Sequence, residues 1–208
     1  NASALSMLRA TVTGNSFETA AAAPASLIDA RFSSTVGQIS RARVLIANNG
    51  ADSGGSTLVF KQDGPQPGLL VTTPDAGTTP TVDLTVQTNH VGVLDAANSC
   101  QDGLPCVPGS RSPFGLDVQA TQGSVCANIA ANLSHWFSTS VGVGGGIRAL
   151  QSGTAVFSLE RGLELDTTPP ATVLQVNNAT HPIGSSQTTV SGTITVVENN
   201  VCALPSVP

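Results

Sequence analysis

The chain has 208 residues, of which 40% are hydrophobic and only 10% charged, with a formal net charge of −5. That length suffices for one domain with a sizeable core, so 1–208 is expected to form a single unit. The acidic balance withholds the basic face that a nucleic-acid partner needs, and no stretch approaches the roughly 18 apolar residues of a membrane span. With one lysine (Lys61), no tyrosine and one tryptophan (Trp136), the surface is left to Thr, Ser, Asn, Gln and Gly. Asn1–Ala4 shows no charged region followed by an apolar run, so any signal peptide is expected to have been removed.

From the N-terminus onward one motif recurs: an aliphatic residue, two variable residues, then Asn. It reads Val12 to Asn15, Ile46 to Asn49, Val86 to Asn89, Ile129 to Asn132, Leu174 to Asn177 and Val197 to Asn200. Successive asparagines lie 34, 40, 43, 45 and 23 residues apart. Two residues before each aliphatic position stand Ala10, Val44, Leu84, Ala127, Thr172 and Thr195, a period of two that predicts a strand ending in a turn. Asn tolerates the left-handed region and bonds nearby backbone, which suits it to a corner. Stacked turns would place Asn15, Asn49, Asn89, Asn132, Asn177 and Asn200 in one ladder, each amide satisfying the next.

A second strand is expected after several corners, at 26–30, 57–60, 114–118 and 146–150, and loops at 20–25, 63–80, 96–113 and 166–170, which are rich in Pro, Gly, Ala, Asp and Thr. Two or three short strands per repeat, with no helical periodicity, describe an all-β fold: a short right-handed parallel β-helix of about six coils carrying loop insertions. Many short strands also fit a β-sandwich or jelly roll, and the sixfold motif favours the helix. No capping helix is expected at either end. The apolar segments 1–9 and 203–208 are expected either to plug the ends of the stack or to pair with a neighbour.

Four cysteines allow three pairings. Cys100 and Cys106 bracket the turn-like sequence QDGLP and are paired with each other, which leaves Cys126 with Cys202. Disulfides place the chain in an oxidising, extracellular compartment.

The segments Val125–Asn132 (VCANIAAN), Gly144–Arg148 (GGGIR), Ala155–Glu160 (AVFSLE) and Val196–Pro205 (VVENNVCALP) resemble the final coils of right-handed parallel β-helix repeat proteins of bacterial cell surfaces, in the pectate-lyase-like superfamily. The likeness is one of repeat pattern, in detail over about residues 82–205. It implies a secreted protein of the same fold, and an enzyme with that fold would act on polysaccharides. A lyase would need clustered acids for calcium with a basic residue, and a hydrolase two or three carboxylates around one linkage.

No such constellation is legible. The nearest acids are Glu160, Glu164 and Asp166 beside Arg161, which read as a solvated face. Asp29, Asp117 and Arg148 hold matching positions in the second strand, with Asp117 and Arg148 on adjacent coils, and read as an ion pair. His90, His135 and His181 follow ladder asparagines at unequal offsets and make no expected metal column. No Gly-x-Ser-x-Gly elbow occurs, and the glycines of 142–146 read as a tight corner. Sequons begin at Asn1, Asn132 and Asn178, of which Asn132 would be locked in the ladder. No catalytic residue, metal or cofactor is expected. The expected function is that of a secreted structural protein which self-assembles end to end into an extracellular filament or surface layer. Its alternatives are an adhesin or glycan-binding module that works through the loops, and a polysaccharide lyase or hydrolase.

Overall fold

A computed structural model describes residues 6–15, 17–18, 26, 28–33, 40–49, 60–61, 66–74, 79–92, 114–135, 146–162, 168–178 and 187–202. The chain is mostly β, and its strands fall into three sheets visited in rotation. The first sheet joins β1 (Ser6–Thr13), β4 (Ser40–Ala47), β7 (Thr81–Gln87), β10 (Ser124–Ala130), β13 (Val156–Glu160) and β15 (Ile194–Val197), in that order. The second holds β2 (Phe17–Glu18), β5 (Phe60–Lys61), β8 (His90–Gly92) and β11 (Leu133–His135). The third holds β3 (Ile28–Arg31), β6 (Leu69–Thr73), β9 (Leu116–Ala120), β12 (Gly146–Gln151) and β14 (Gln187–Ser191).

Every described strand pair in the first and third sheets is parallel. The second sheet is parallel except for one antiparallel bridge, Phe60 to Gly92. Parallel neighbours cannot be joined by a hairpin, and here the crossover is the passage through the other two sheets. Among the described residues this pairing rules out the antiparallel sandwich or jelly roll.

Register stacks like on like. Leu8, Ala42, Val82, Val125, Phe157 and Ile194 form one inward column, and Ala10, Val44, Leu84, Ala127, Leu159 and Val196 the next. From the third sheet, Ile28, Leu69, Leu116 and Ile147 face them. Phe157, Leu84, Leu69, Leu116 and Ile147 are fully buried. The alternation read from sequence therefore tracks the core, because a slip of one residue would turn every side chain outward.

The structure corrects three expectations about elements. The segment read as a strand ending at Asn177 is a helix, α1 (Pro170–Asn177). Pro170 supplies a fixed φ at the first helical turn and costs no hydrogen bond there. The buried residues are Val173, Leu174 and Asn177, a helical spacing that the period-two reading of Thr172 and Leu174 mistook. With Val173 and Leu174 in the core, α1 closes one corner of the C-terminal end, where no capping helix was expected. The strand β6 lies inside the expected loop 63–80; Pro65, Pro67 and Gly68 mask the apolar run Leu69–Val71 behind them. The short strands of the second sheet went largely unread, since two or three residues carry no period; Phe60 of β5 falls within the expected strand 57–60, whose other residues lie outside the described residues. The terminal segment 203–208 and the residues before Ser6 lie outside the described residues.

Candidate functional site

The ladder is the most ordered polar feature of the molecule. Asn15 donates from its backbone N–H and from Nδ2 to Asn49 Oδ1, at 3.1 and 3.0 Å. Asn49 does the same to Asn89 at 3.2 and 2.9 Å, and Asn89 to Asn132 at 3.1 and 2.9 Å. The second Nδ2 hydrogen reaches back to the preceding round: Asn49 to Val12 O, Asn89 to Ile46 O and Asn132 to Val86 O. Asn49, Asn89 and Asn132 are completely buried, yet each amide has both donors placed, and its oxygen accepts twice. That is the condition under which a buried polar group is tolerated.

The ladder ends differently from its sequence reading. Asn132 donates to Asn178 Oδ1 at 3.0 and 3.1 Å, so Asn178, not Asn177, is the last rung. Asn178 Nδ2 donates to Ile129 O and to Leu174 O, and its N–H to Gln175 O, so the rung also satisfies the end of α1. Asn177 turns aside and donates to Arg161 O at 3.2 Å.

Asn200 is not a rung either. The pairing of Ala127 with Leu159, and of Leu159 with Val196, puts Val201 in line with Asn132 and Asn200 in line with Ala131. The last motif is thus shifted by one residue. Left-handed backbone sits one place before the rungs Asn15, Asn49, Asn89 and Asn132, at Gly14, Asn48, Thr88 and Ala131, and again at Asn200, whereas the rung Asn178 follows helical Asn177. The left-handed corner is therefore made by the residue before the Asn and not by the Asn itself.

Charged side chains outside the ladder are paired in both large sheets. In the third sheet Asp117, fully buried, accepts from Arg148 Nε at 2.8 Å and Nη2 at 2.5 Å, and from Gln119 Nε2 at 2.6 Å. The Arg148 guanidinium lies 4.3 Å from the centre of the Phe114 ring. Asp29 shares this column, but Leu70 stands between it and Asp117, and Asp29 pairs with Arg31 instead. Replacing Arg148 with Met is expected to lower the unfolding free energy by about 3 kcal/mol, since a buried carboxylate loses its counter-ion. Replacing both Asp117 and Arg148 with apolar residues should recover most of that loss in urea denaturation.

In the first sheet Arg41 Nε and Nη2 bond Asp83 Oδ2 at 2.9 and 2.7 Å, with Arg43 Nε at 3.5 Å. Glu160 is buried, accepting from Asn128 Nδ2 and from the Cys202 N–H at 2.7 Å each. Nothing in sequence announced this, because Asn128 and Cys202 lie 32 and 42 residues away. Glu160 is thus a satisfied structural acid rather than part of a solvated acidic face; Glu164 and Asp166 lie outside the described residues.

Cys126 and Cys202 form a disulfide. Cys100, Cys106, His181, Asn1 and most of the glycine cluster 142–146 lie outside the described residues. Backbone register sets His90 opposite Leu133 and His135 opposite Gly92. Asn132 and Asn178 are completely buried, which bars a glycan from either in the folded chain. Among the described residues no three His, Cys, Asp or Glu side chains gather as metal ligands, and no helix is long and apolar enough to cross a membrane.

No family model matches this chain, and no curated protein or solved structure does either.

The two ends of the stack remain as the candidate interaction site. The strand β1 pairs only with β4 among the described residues, and it leaves Met7 47% and Leu8 52% exposed. At the other end β15 pairs, among the described residues, only with β13, and Val201 is 55% exposed. Parallel sheet edges with apolar side chains in the open are surfaces that another strand can extend.

Proposed function

We propose that the chain is a secreted structural protein, wound as a short right-handed parallel β-helix, that self-assembles end to end into an extracellular filament or layer. The observation that carries this is the pair of parallel edges at β1 and β15, each without a further strand among the described residues and bordered by exposed aliphatic side chains. Rotation through three sheets supports a β-helix, and parallel crossovers are almost always right-handed. This is the fold of the bacterial surface proteins that the sequence resembles. The Cys126–Cys202 disulfide supports an oxidising, extracellular setting. The buried acids Asp83, Asp117 and Glu160 are held by partners within the molecule and serve stability, which favours a structural role over a polysaccharide-cleaving one.

The test is sedimentation velocity over a hundredfold concentration range. Multimers should grow with concentration, and Leu8→Glu, which puts a charge on the open edge, should return the protein to monomer without loss of its melting transition. A monomer at every concentration would overturn the proposal.

A further inference from the structure

Each round of the winding hands two backbone donors to the next. The left-handed residue gives its N–H to a carbonyl two places before the next rung: Gly14 to Ala47 O, Asn48 to Gln87 O, and Thr88 to Ala130 O. The rung gives its N–H to the next rung's Oδ1. At the N-terminal end this leaves Asn15 Oδ1, which accepts from no described donor, although the Oδ1 of Asn49, Asn89, Asn132 and Asn178 each accepts two bonds from the rung before it.

At the C-terminal end the final round keeps the corner. Asn200 has φ 65°, beside 54° at Ala131 and 56° at Asn48, and Val201 follows it at the rung position. The N–H groups of Asn200 and Val201 donate to no described atom, and both residues are exposed. One end thus carries two donors at a preformed corner, and the other carries the acceptors that such a corner serves at Gly14, Asn48 and Thr88; Ala131, whose next rung ends α1, gives its N–H to Asn177 O instead.

We infer that the partner of the β1 end is the β15 end of a second copy, joined head to tail in the register the chain uses internally. This rests on the end-to-end assembly proposed above and specifies its joint. Val201 N–H of one copy donates to Asn15 Oδ1 of the next, and Asn200 N–H to Thr13 O. Because Leu8 and Ile194 belong to one inward column, and Ala10 and Val196 to the next, the joint sets Ile194 on Leu8, Val196 on Ala10, Thr195 on Arg9 and Val197 on Thr11. A head-to-head contact through β1 would bring two acceptors together at Asn15, whose own Nδ2 is already committed to Thr13 O and Asn49 Oδ1. The joint is heterologous and leaves a free end on each side, so it propagates.

The test is cross-linking of assembled protein carrying both Arg9→Cys and Thr195→Cys, two exposed outward positions that the joint makes neighbours at disulfide distance. On mild oxidation a non-reducing denaturing gel should show a ladder of covalent multimers. Each single variant should remain monomeric on that gel. Asn15→Ala should weaken self-association by about tenfold, the size of one lost hydrogen bond, with the melting temperature checked to show that the fold persists. Multimers in sedimentation without a covalent ladder would overturn this joint and spare the assembly. Covalent dimers of Arg9→Cys alone would overturn it in favour of a head-to-head contact. Monomers throughout would overturn both.

Discussion

Asn89→Ala is expected to lower the unfolding free energy by about 4 kcal/mol. The change removes a side chain that accepts from the Asn49 N–H and Nδ2 and donates to Asn132 Oδ1 and Ile46 O. All of these partners are buried, and water cannot replace the amide. Each buried group left unpaired costs about 1–3 kcal/mol, and at least two donors and one acceptor lose their partner. Some relaxation of the corner keeps the total below the simple sum. At Asn15, which is only partly buried at the open end, the same substitution should cost less than about 1 kcal/mol, since water can reach the groups it frees. Urea denaturation of the two variants measures the contrast, and equal losses at both positions would mean that the ladder does not act as a buried, continuous network.

Removing the Cys126–Cys202 disulfide should cost a similar amount. The two residues are 76 apart in sequence, and in the chain-entropy model a loop of that size removes about 4.5 kcal/mol of unfolded-state entropy. The bond also ties the segment after β15 back to β10, four strands along the sheet order from the N-terminal edge. Cys202 brings its N–H to Glu160, so release of the bond lets a buried carboxylate lose this donor and keep Asn128 Nδ2. Paired Cys126→Ala and Cys202→Ala substitutions should therefore lower the melting temperature by several degrees for each kcal/mol lost. Thermal unfolding with and without reductant checks it: reductant should bring wild type to the level of the reduced double variant, and should lower wild type by more than it lowers the double variant, which keeps Cys100 and Cys106.

Much of this architecture was legible because parallel stacking repeats the same physical demand at every round. Val12, Ile46, Val86 and Ile129 had to be aliphatic to face the core, and Asn15, Asn49, Asn89 and Asn132 had to be short amides able to accept and donate along the stack. The reading failed where the repeat is broken. Pro169 and Pro170 start a helix whose Thr172 and Leu174 imitate strand alternation over too few residues to tell apart. Asn177 and Asn178 are adjacent and chemically identical, and only the end of α1 decides that the second one faces Asn132. At the last round Asn199 and Asn200 again offer two candidates, and the pairing of β13 with β15 selects neither, placing Val201 at the rung. Asn199 instead exchanges two 2.7 Å hydrogen bonds with Gly162. The acids divide: the ion pair of Asp117 with Arg148 was legible from their matching positions on adjacent rounds, whereas the partners of Glu160 come from other rounds with no matching position to announce them, so its burial depends on register rather than on local pattern.

Electron microscopy of the protein as isolated, without denaturant, tests the end-to-end assembly most directly. The six strands of the first sheet, at about 4.8 Å each, make one copy about 29 Å tall along the stack. Filaments with an axial repeat close to 29 Å are the expected result, since a joint in the internal register adds one strand spacing and no gap. Dispersed particles of single-copy size at concentrations where the open edges are saturated, or filaments whose repeat differs by more than one strand spacing, would contradict it.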